Sequence, residues 1–402
     1  MNEEKIWNKG FTAITLTHSL FTVGIYMLIP TIPLFLVTLG AVESQVGVMA
    51  TAFYISSIIT RFLMNALLVR VGKKLVLIAG LILNSIIIAL YGSVGSIGVA
   101  TILRVIQGIG LGTTSTLCAT LAVDFLPDTR RGQGLGYFGM GLVVAQAIAP
   151  AIALFIRDNY GFTLMFFASA AANLISAAVV FFLIDEPPAV GEGAREKREA
   201  KEKSFGLSDL YDRRLIIPSV IIFLYGISRS VDMNFIALFA EDRSFDYLSL
   251  YFVIQTMTMF CIRFVIGRFA DKKGRDWVLI PGGFALLAVH VTLSLAHSSA
   301  IMLLGAFFSG LGVGVVAPNL QMWVFGILEP SRRNVASASF FNFCDIGSAI
   351  GAPLMGLMAE KFGYYNMFRI SASTGVLYIV LYITIARSKS PGKKKTRNLQ
   401  RR

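Results

Sequence analysis

Arg61-Phe-Leu-Met-Asn-Ala-Leu-Leu-Val-Arg-Val-Gly-Lys73 is matched half a chain later by Arg263-Phe-Val-Ile-Gly-Arg-Phe-Ala-Asp-Lys-Lys-Gly-Arg275. The separation, 263 − 61 = 202, recurs without gaps. Gly108-Ile-Gly-Leu-Gly112 falls on Gly310-Leu-Gly-Val-Gly314, and Arg130-Arg131 falls on Arg332-Arg333. A chain of 402 residues with this period is two copies of one unit. Internal repetition constrains the fold before any local pattern is weighed.

The copies sit in a very apolar chain. Apolar residues make up 55%, charged residues only 15%, and mean hydropathy is +0.70. Soluble domains carry charge on about a quarter of their residues, so this composition places the chain in a membrane. One helical crossing needs about 20 apolar residues. Spans are expected near 11–37, 46–68, 75–93, 98–121, 134–156, 162–184, 215–239, 247–267, 277–296, 300–326, 335–358 and 364–386. That is six per half, an all-α integral membrane protein of twelve transmembrane helices in two six-helix bundles. The first span is too long for the apolar region of a signal peptide, and no Ala-x-Ala-like site follows it. Its retention is expected.

The formal charge of +13 does not point to nucleic acid, because it is not spread over a soluble surface. Basic residues gather in alternate loops: Arg70, Lys73 and Lys74; Arg130 and Arg131; 195–214; Arg268 to Arg275; Arg332 and Arg333; and the tail from Arg387. The intervening loops hold only Arg157, Arg243, Lys361 and Arg369. The positive-inside rule makes the first set, and both termini, cytoplasmic. The basic tail is expected to lie near anionic lipid. The expected organisation is an N-terminal bundle over 1–186, a cytoplasmic linker over 187–212, a C-terminal bundle over 213–388 and a basic tail over 389–402. The linker alternates acid and base from Glu192 to Lys203, a pattern that suits a short ion-paired surface helix.

Catalytic signatures are missing. The chain has no Walker-type run, no Cys/His metal spacing and no nucleophile elbow. No enzyme activity, metal or cofactor is expected. Cys118, Cys261 and Cys344 all fall inside spans, where they read as small apolar residues. Without an ATP site, energy must come from an ion or substrate gradient. Duplicated membrane halves are a usual plan of secondary transporters.

The loop motif, the repeat and the six-plus-six plan resemble the major facilitator superfamily over nearly the whole chain. That family carries a Gly-x-x-x-Asp-Arg-x-Gly-Arg-type loop after its second helix, often echoed after its eighth. The echo here is Gly267-Arg-Phe-Ala-Asp271-Lys-Lys-Gly274-Arg275. The first copy keeps Arg70, Gly72 and Lys73 but has Asn65 for Gly and Val69 for Asp. The resemblance implies a conformational latch that rests on Asp271. Arg104-Val-Ile-Gln107-Gly108 resembles an Arg-x-x-Gln-Gly motif whose arginine the family associates with proton coupling. Gly136, Ala145, Ala149-Pro150 and Ala153 are similar to the family's antiporter signature, with alanine at three glycine positions. Within the family the chain resembles the group of twelve-helix drug:proton antiporters and metallophore exporters.

A few ionisable residues lie inside the spans. Arg61 and Arg263 share a repeat position and are expected to make structural contacts at helix ends. Arg229 and Asp232 are three apart on one helix and would form either a local ion pair or a cavity site. Asp345 has no basic residue at i±3 or i±4, so it is expected to be a lone carboxylate, with Asn342 on its face. Proton coupling is therefore placed on Asp345 or Asp232, with Arg104 across the cavity as counter-charge. Thr15, His18, Thr22 and Tyr26 form a polar stripe. His18, Thr22, Tyr26, Gln107, Gln146, Arg229, Gln255, Asn319, Gln321 and Asn342 are the expected substrate contacts. Arg70, Gly72, Lys73, Gly267, Asp271, Gly274, Arg275 and Pro150 are the expected conformational motif. Asn84, Asn173 and His290 fall on helices that are peripheral in the family, where side-chain packing is the expectation.

The expected activity is proton-coupled export of a small amphiphilic compound by a monomer in the cell membrane, with protons and lipid as its other partners. The alternatives are export of an opine-type or siderophore metallophore, which two arginines and two aspartates would suit as a zwitterion, import of a nutrient with protons, or a membrane sensor that transports nothing.

Overall fold

A computed structural model describes residues 6–68, 72–127, 130–184, 212–329 and 332–386. Side chains at 62, 64–68, 131, 132, 264, 267, 268, 270–272, 333 and 334 are not described. Four helices open the chain: α1 Lys9–Thr38, α2 Glu43–Leu68, α3 Lys73–Leu90 and α4 Ile97–Asp124. A single helical run, Arg131–Leu183, then contains Gly161 at φ 85°. This divides it into α5 (131–160) and α6 (162–183). After residue 212 come α7 Ile216–Asp242, α8 Leu248–Lys273, α9 Asp276–Ser294 and α10 Ser299–Ile327. The run Arg333–Leu381 breaks at Gly363, φ 77°, into α11 (333–362) and α12 (364–381). The described residues thus form twelve helices, six on each side of residues 185–211. The linker expected over 187–212 lies almost wholly outside the described residues.

Local signals place the ends. Asn8 caps α1, accepting from the Phe11 N–H at 2.8 Å, and its amide also donates to the Phe125 carbonyl at the end of α4 at 2.7 Å. Ser96 caps α4 in the same way. Gly161 and Gly363 are 202 residues apart, and each holds a positive φ that a β-carbon disfavours. The sequence suggests a loop after the fifth and eleventh spans. The structure replaces each loop with one glycine.

The repeat is visible in three dimensions. A β-carbon on Gly108 or Gly112 would strike the backbone carbonyls of Phe53 or Ser57 on α2. A β-carbon on Gly310 or Gly314 would strike those of Gln255 or Met259 on α8. Each contact maps onto the other at the same 202-residue offset. Gly80 against Thr113 and Thr114 likewise maps onto Gly282 against Val315 and Val316. Lipid is as apolar as a leucine side chain, so helices gain little by hiding leucine from it. Close backbone approach through small residues is what remains to hold them together.

The helix ends that meet at Asn8 and Phe125, Lys73 and Asp124, Arg214 and Glu329, and Arg275 and Tyr382 lie on one face, here the terminal face. The opposite face is the far face. One apolar cluster spans both halves toward the far face, with Met27, Phe35 and Phe166 from the first half and Phe235, Phe239 and Phe368 from the second. Toward the terminal face the interior divides. One cluster, with Phe11, Leu77, Leu121 and Val180, belongs to the first half alone. Another, with Leu215, Tyr225, Leu320 and Tyr378, belongs to the second alone. Tyr364 also donates to Glu43 at 3.0 Å, and Arg157 lies 3.5 Å from Glu241, both across the halves at the far face.

Candidate binding and coupling site

Two adjoining cavities lie between the halves. The smaller, with an empty volume of about 550 Å³, is lined by Tyr26, Gln146, Pro150, Arg229, Asp232 and Gln255, with Met233, Phe252, Thr256 and Met259. The larger, about 770 Å³, reaches Phe53, Tyr54, Arg104 and Asn234. They share Tyr26, Ile29 and Met233, so α1 and α7 form the common wall.

Tyr26 is the polar centre of that wall. Gln146 Nε2 on α5 donates to its hydroxyl at 2.6 Å, and Arg229 Nη2 on α7 donates to it at 3.2 Å. Arg229 Nε approaches the Met233 thioether at 3.1 Å. Gln146 also offers its backbone carbonyl to the Thr256 hydroxyl of α8 at 3.2 Å. These bonds join both halves around one space. Of the expected substrate contacts, Tyr26, Gln146, Arg229 and Gln255 meet here.

The local Arg229–Asp232 pair does not form. Asp232 instead accepts the Ser309 hydroxyl proton of α10 at 2.5 Å, and Ser309 accepts from Gln255 of α8 at 2.7 Å. Positions three apart on a helix share a face only roughly, and here one residue leans to the first half and the other to α10. His290 on α9 is wholly buried, and its Nε2 lies 3.9 Å from Asp232 Oδ1. The expectation that His290 serves packing alone therefore misses its neighbour. The clue was in the repeat: Ser309 occupies the position of Gln107, so a polar residue was due there.

Arg104 keeps its Gln107 partner, donating from Nη1 to Oε1 at 2.8 Å. Its guanidinium lies 4.0 Å from the centre of the Phe53 ring, a cation–π contact. It does not face Asp232 or Asp345 as an ion pair. Among the described residues, Arg263 approaches the Met259 thioether at 3.7 Å.

Asp345 is not alone. It forms an ion pair with Arg61 on α2, across the halves. One turn nearer the far face, the Thr51 hydroxyl donates to the Ala349 carbonyl at 2.6 Å. Asp345 thus turns to Arg61 and not to Asn342, and Arg61 bridges the bundles where a local helix-end contact was expected. Both residues keep about a fifth of their side-chain surface exposed.

Other expected residues lie elsewhere. His18 stacks on Phe138 of α5 at 4.3 Å, and Thr22 returns its hydroxyl proton to the His18 carbonyl at 2.6 Å. Asn319 donates to the Val315 carbonyl within its own helix at 2.7 Å. Gln321 and Asn342 are half-buried, outside the linings of both cavities. Pro150 lies within α5 and lines the smaller cavity. Sequence reasoning passed over Phe53, Tyr54, Met233, Asn234, Phe252 and Met259, because aromatic and methionine residues are common in any membrane helix.

The motif loops are partly described. Gly72 precedes α3, and Lys73 at its first turn binds Asp124 at the end of α4 at 2.5 Å. Gly274 takes φ 89° between α8 and α9. Arg275 lies 3.9 Å from the Trp323 ring centre and donates to Tyr382 Oη at 3.1 Å. Arg70, and the side chains of Gly267 and Asp271, fall outside the described residues. Asp212, ahead of α7, accepts from Arg214 at 2.9 Å and from Arg332 at 2.5 Å. Its hydrogen bonds from Arg214 hold its carboxyl down at about 2.

A family model described as Major Facilitator Superfamily matches residues 14–275 and 218–401. Among relatives, the Staphylopine export protein of Staphylococcus aureus is 23% identical over 353 residues, covering 86% of this chain and 87% of that protein. The Multidrug resistance protein MdtG of Proteus mirabilis is 24% identical over 398 residues, covering 94% and 96%. Among solved structures, the nucleoside transporter NupG superposes with a TM-score of 0.75 at 15% identity, covering 96% of this chain and all of that one.

Proposed function

Because the chain belongs to the Major Facilitator Superfamily and is therefore a membrane transporter, we propose that it exports a small amphiphilic organic compound in exchange for protons. The observation that carries this reading is the amphiphilic space between the bundles, which joins Tyr26, Gln146, Arg229 and Gln255 to a wall of methionine and phenylalanine. Relatives named for export and for multidrug resistance support the direction. In this reading the terminal face is cytoplasmic, on the strength of its basic loops. The bundles over 1–186 and 213–388 rock about the cavity, tethered by 187–212. A core shared at the far face and divided at the terminal face is an inward-open arrangement. The opposite arrangement delivers cargo outside.

Coupling rests on Asp345, with Arg61 as its switch partner in place of Arg104. A carboxylate beside an arginine favours its charged form, and one left alone in the membrane favours its neutral form. The pair joins α2 to α11 across the halves, so bundle motion makes and breaks it. Each cycle then loads and releases one proton without Asp345 leaving the interface. Export of an opine-type or siderophore metallophore is the second reading, favoured by the staphylopine exporter among the relatives.

The experiment uses purified protein in liposomes. Accumulation of a compound driven by a pH gradient alone is the expected result. Cargo binding without flux would replace the transporter reading with that of a sensor. Flux that follows sodium or needs no ion gradient would remove proton coupling and keep transport.

A further inference from the structure

The described arginines between the bundles are not alike. Arg61 has Asp345. Arg229 and Arg104 line the two cavities, and neither makes an ion pair among the described residues. Arg229 has a tyrosine hydroxyl and a thioether for company. Arg104 has an amide oxygen and a phenyl ring. Asp232, three residues from Arg229, is turned away onto Ser309 and His290. Of the two aspartates that would complete a zwitterionic site, Asp345 is paired with Arg61 and Asp232 is bonded through one oxygen to Ser309.

A guanidinium does not shed its proton to escape this situation. An unpaired charge inside a membrane is expensive and calls for water or a partner. The repeat shows that the scaffold does not demand these charges. The positions equivalent to Arg104 and Arg229 are Ala306 and Met27, whereas Arg61 is matched by Arg263. The shared architecture therefore accounts for Arg61 and Arg263 and leaves Arg104 and Arg229 to the cavity itself. Beside Tyr26 the common wall presents the apolar side chains of Ile29 and Met233. Methionine adapts to irregular apolar shapes, and a free guanidinium fork matches a carboxylate in two parallel hydrogen bonds.

We propose that the cargo is an organic dianion, with one acidic group on Arg229 beside Tyr26, the other on Arg104 beside Gln107, and an apolar body against Met233. The proposal rests on the transporter reading and names the substrate class of that site. It differs from the zwitterion suggested by the sequence: Asp232, the carboxylate in the lining of the smaller cavity, accepts from Ser309, and Asp345 pairs with Arg61.

The test holds the apolar body constant and changes only its ends. Benzylsuccinate, its diamide and the corresponding diamine are titrated into the full-length protein in nanodiscs, with thermal stabilisation as the readout. Benzylsuccinate is expected to half-saturate at a concentration lower than either analogue by about tenfold or more. Arg104→Gln and Arg229→Gln should each erase most of that preference, and Arg104→Lys and Arg229→Lys should keep part of it. Equal or weaker binding of the dicarboxylate, absence of binding included, overturns the proposal, and this wild-type comparison needs no variant to fold. Counterflow of the same compounds in liposomes separates the two readings. Dicarboxylate binding without flux keeps the anion site and ends the transporter reading. Flux of the diamine in preference to the dicarboxylate keeps the transporter and ends the anion site.

Discussion

Arg61 on α2 and Asp345 on α11 are 284 positions apart in the chain and form an ion pair that joins the two bundles. Neither residue has an opposite charge on its own helix within a turn, so each depends on the other half for neutralisation. Removing one partner of a partly buried pair leaves the other uncompensated.

The first prediction follows directly. Asp345→Asn should abolish accumulation driven by a pH gradient and spare counterflow, which needs no net proton movement. Arg61→Gln should lower the melting midpoint in detergent more than the Arg61→Gln, Asp345→Asn double variant does, because the double variant strands no charge. A double variant less stable than both singles would argue that the pair is incidental.

Ser309 links Asp232 to Gln255, so the three should behave as one unit. Ser309→Ala and Asp232→Asn are each expected to reduce transport, and combining them should cost little beyond the worse single, a coupling of about 1 kcal/mol or more. Additive losses in initial rates would mean that the hydrogen-bonded chain has no shared role. Asp232→Asn should leave dicarboxylate affinity nearly unchanged, since Arg229 is not its partner.

Glycine contacts give a stability test. Gly108→Val and Gly310→Val should destabilise the protein by similar amounts, about 1–3 kcal/mol each by overpacking, because each glycine meets the equivalent neighbour in its own half. Gly326→Ala should be nearly silent, as nothing approaches that position within 4 Å. Chemical denaturation in detergent would read all three, and a silent Gly310→Val would undo the equivalence.

Asp212 offers a pH test on the terminal face. Its carboxyl is lowered from 3.8 to about 2 by hydrogen bonds from Arg214. A depressed carboxyl contributes stability above its ordinary value and loses it as pH falls through the folded value. The midpoint difference between wild type and Asp212→Asn should therefore be flat from pH 8 to pH 5 and shrink below about pH 4. A difference that grows as pH falls would contradict the sign.

Topology is tested by labelling, with the three native cysteines changed to serine. New cysteines at Ser93 or Ser298 should react from outside intact cells, and ones at Ser204 or Ser390 should not. The reversed pattern would remove the cytoplasmic assignment of the terminal face.

The sequence carried the duplicated architecture because the close contacts of Gly80, Gly108, Gly110 and Gly112 recur at Gly282, Gly310, Gly312 and Gly314. Gly108 and Gly310 could be paired by counting, and their neighbours Phe53 and Gln255 obey the same count. The site was less legible for the same reason. Arg104, Arg229, Asp232 and Asp345 have no charged equivalent in the other half, so the repeat offers no paired charge for any of them. Helical periodicity puts Arg229 and Asp232 on one face but cannot say that α10 offers Ser309 to one of them. Nor can it bring Arg61 to Asp345, since that contact depends on how two bundles dock. His290 was discounted because of its helix, although a buried imidazole facing a carboxylate depends only on local geometry.

The single-residue breaks at Gly161 and Gly363 limit how the molecule can move. With no slack between α5 and α6, or between α11 and α12, a displacement of one helix drags its successor along. In the proposed cycle α5 with α6, and α11 with α12, would therefore travel as pairs joined at the far face, and opening that face would part whole pairs around the cavity.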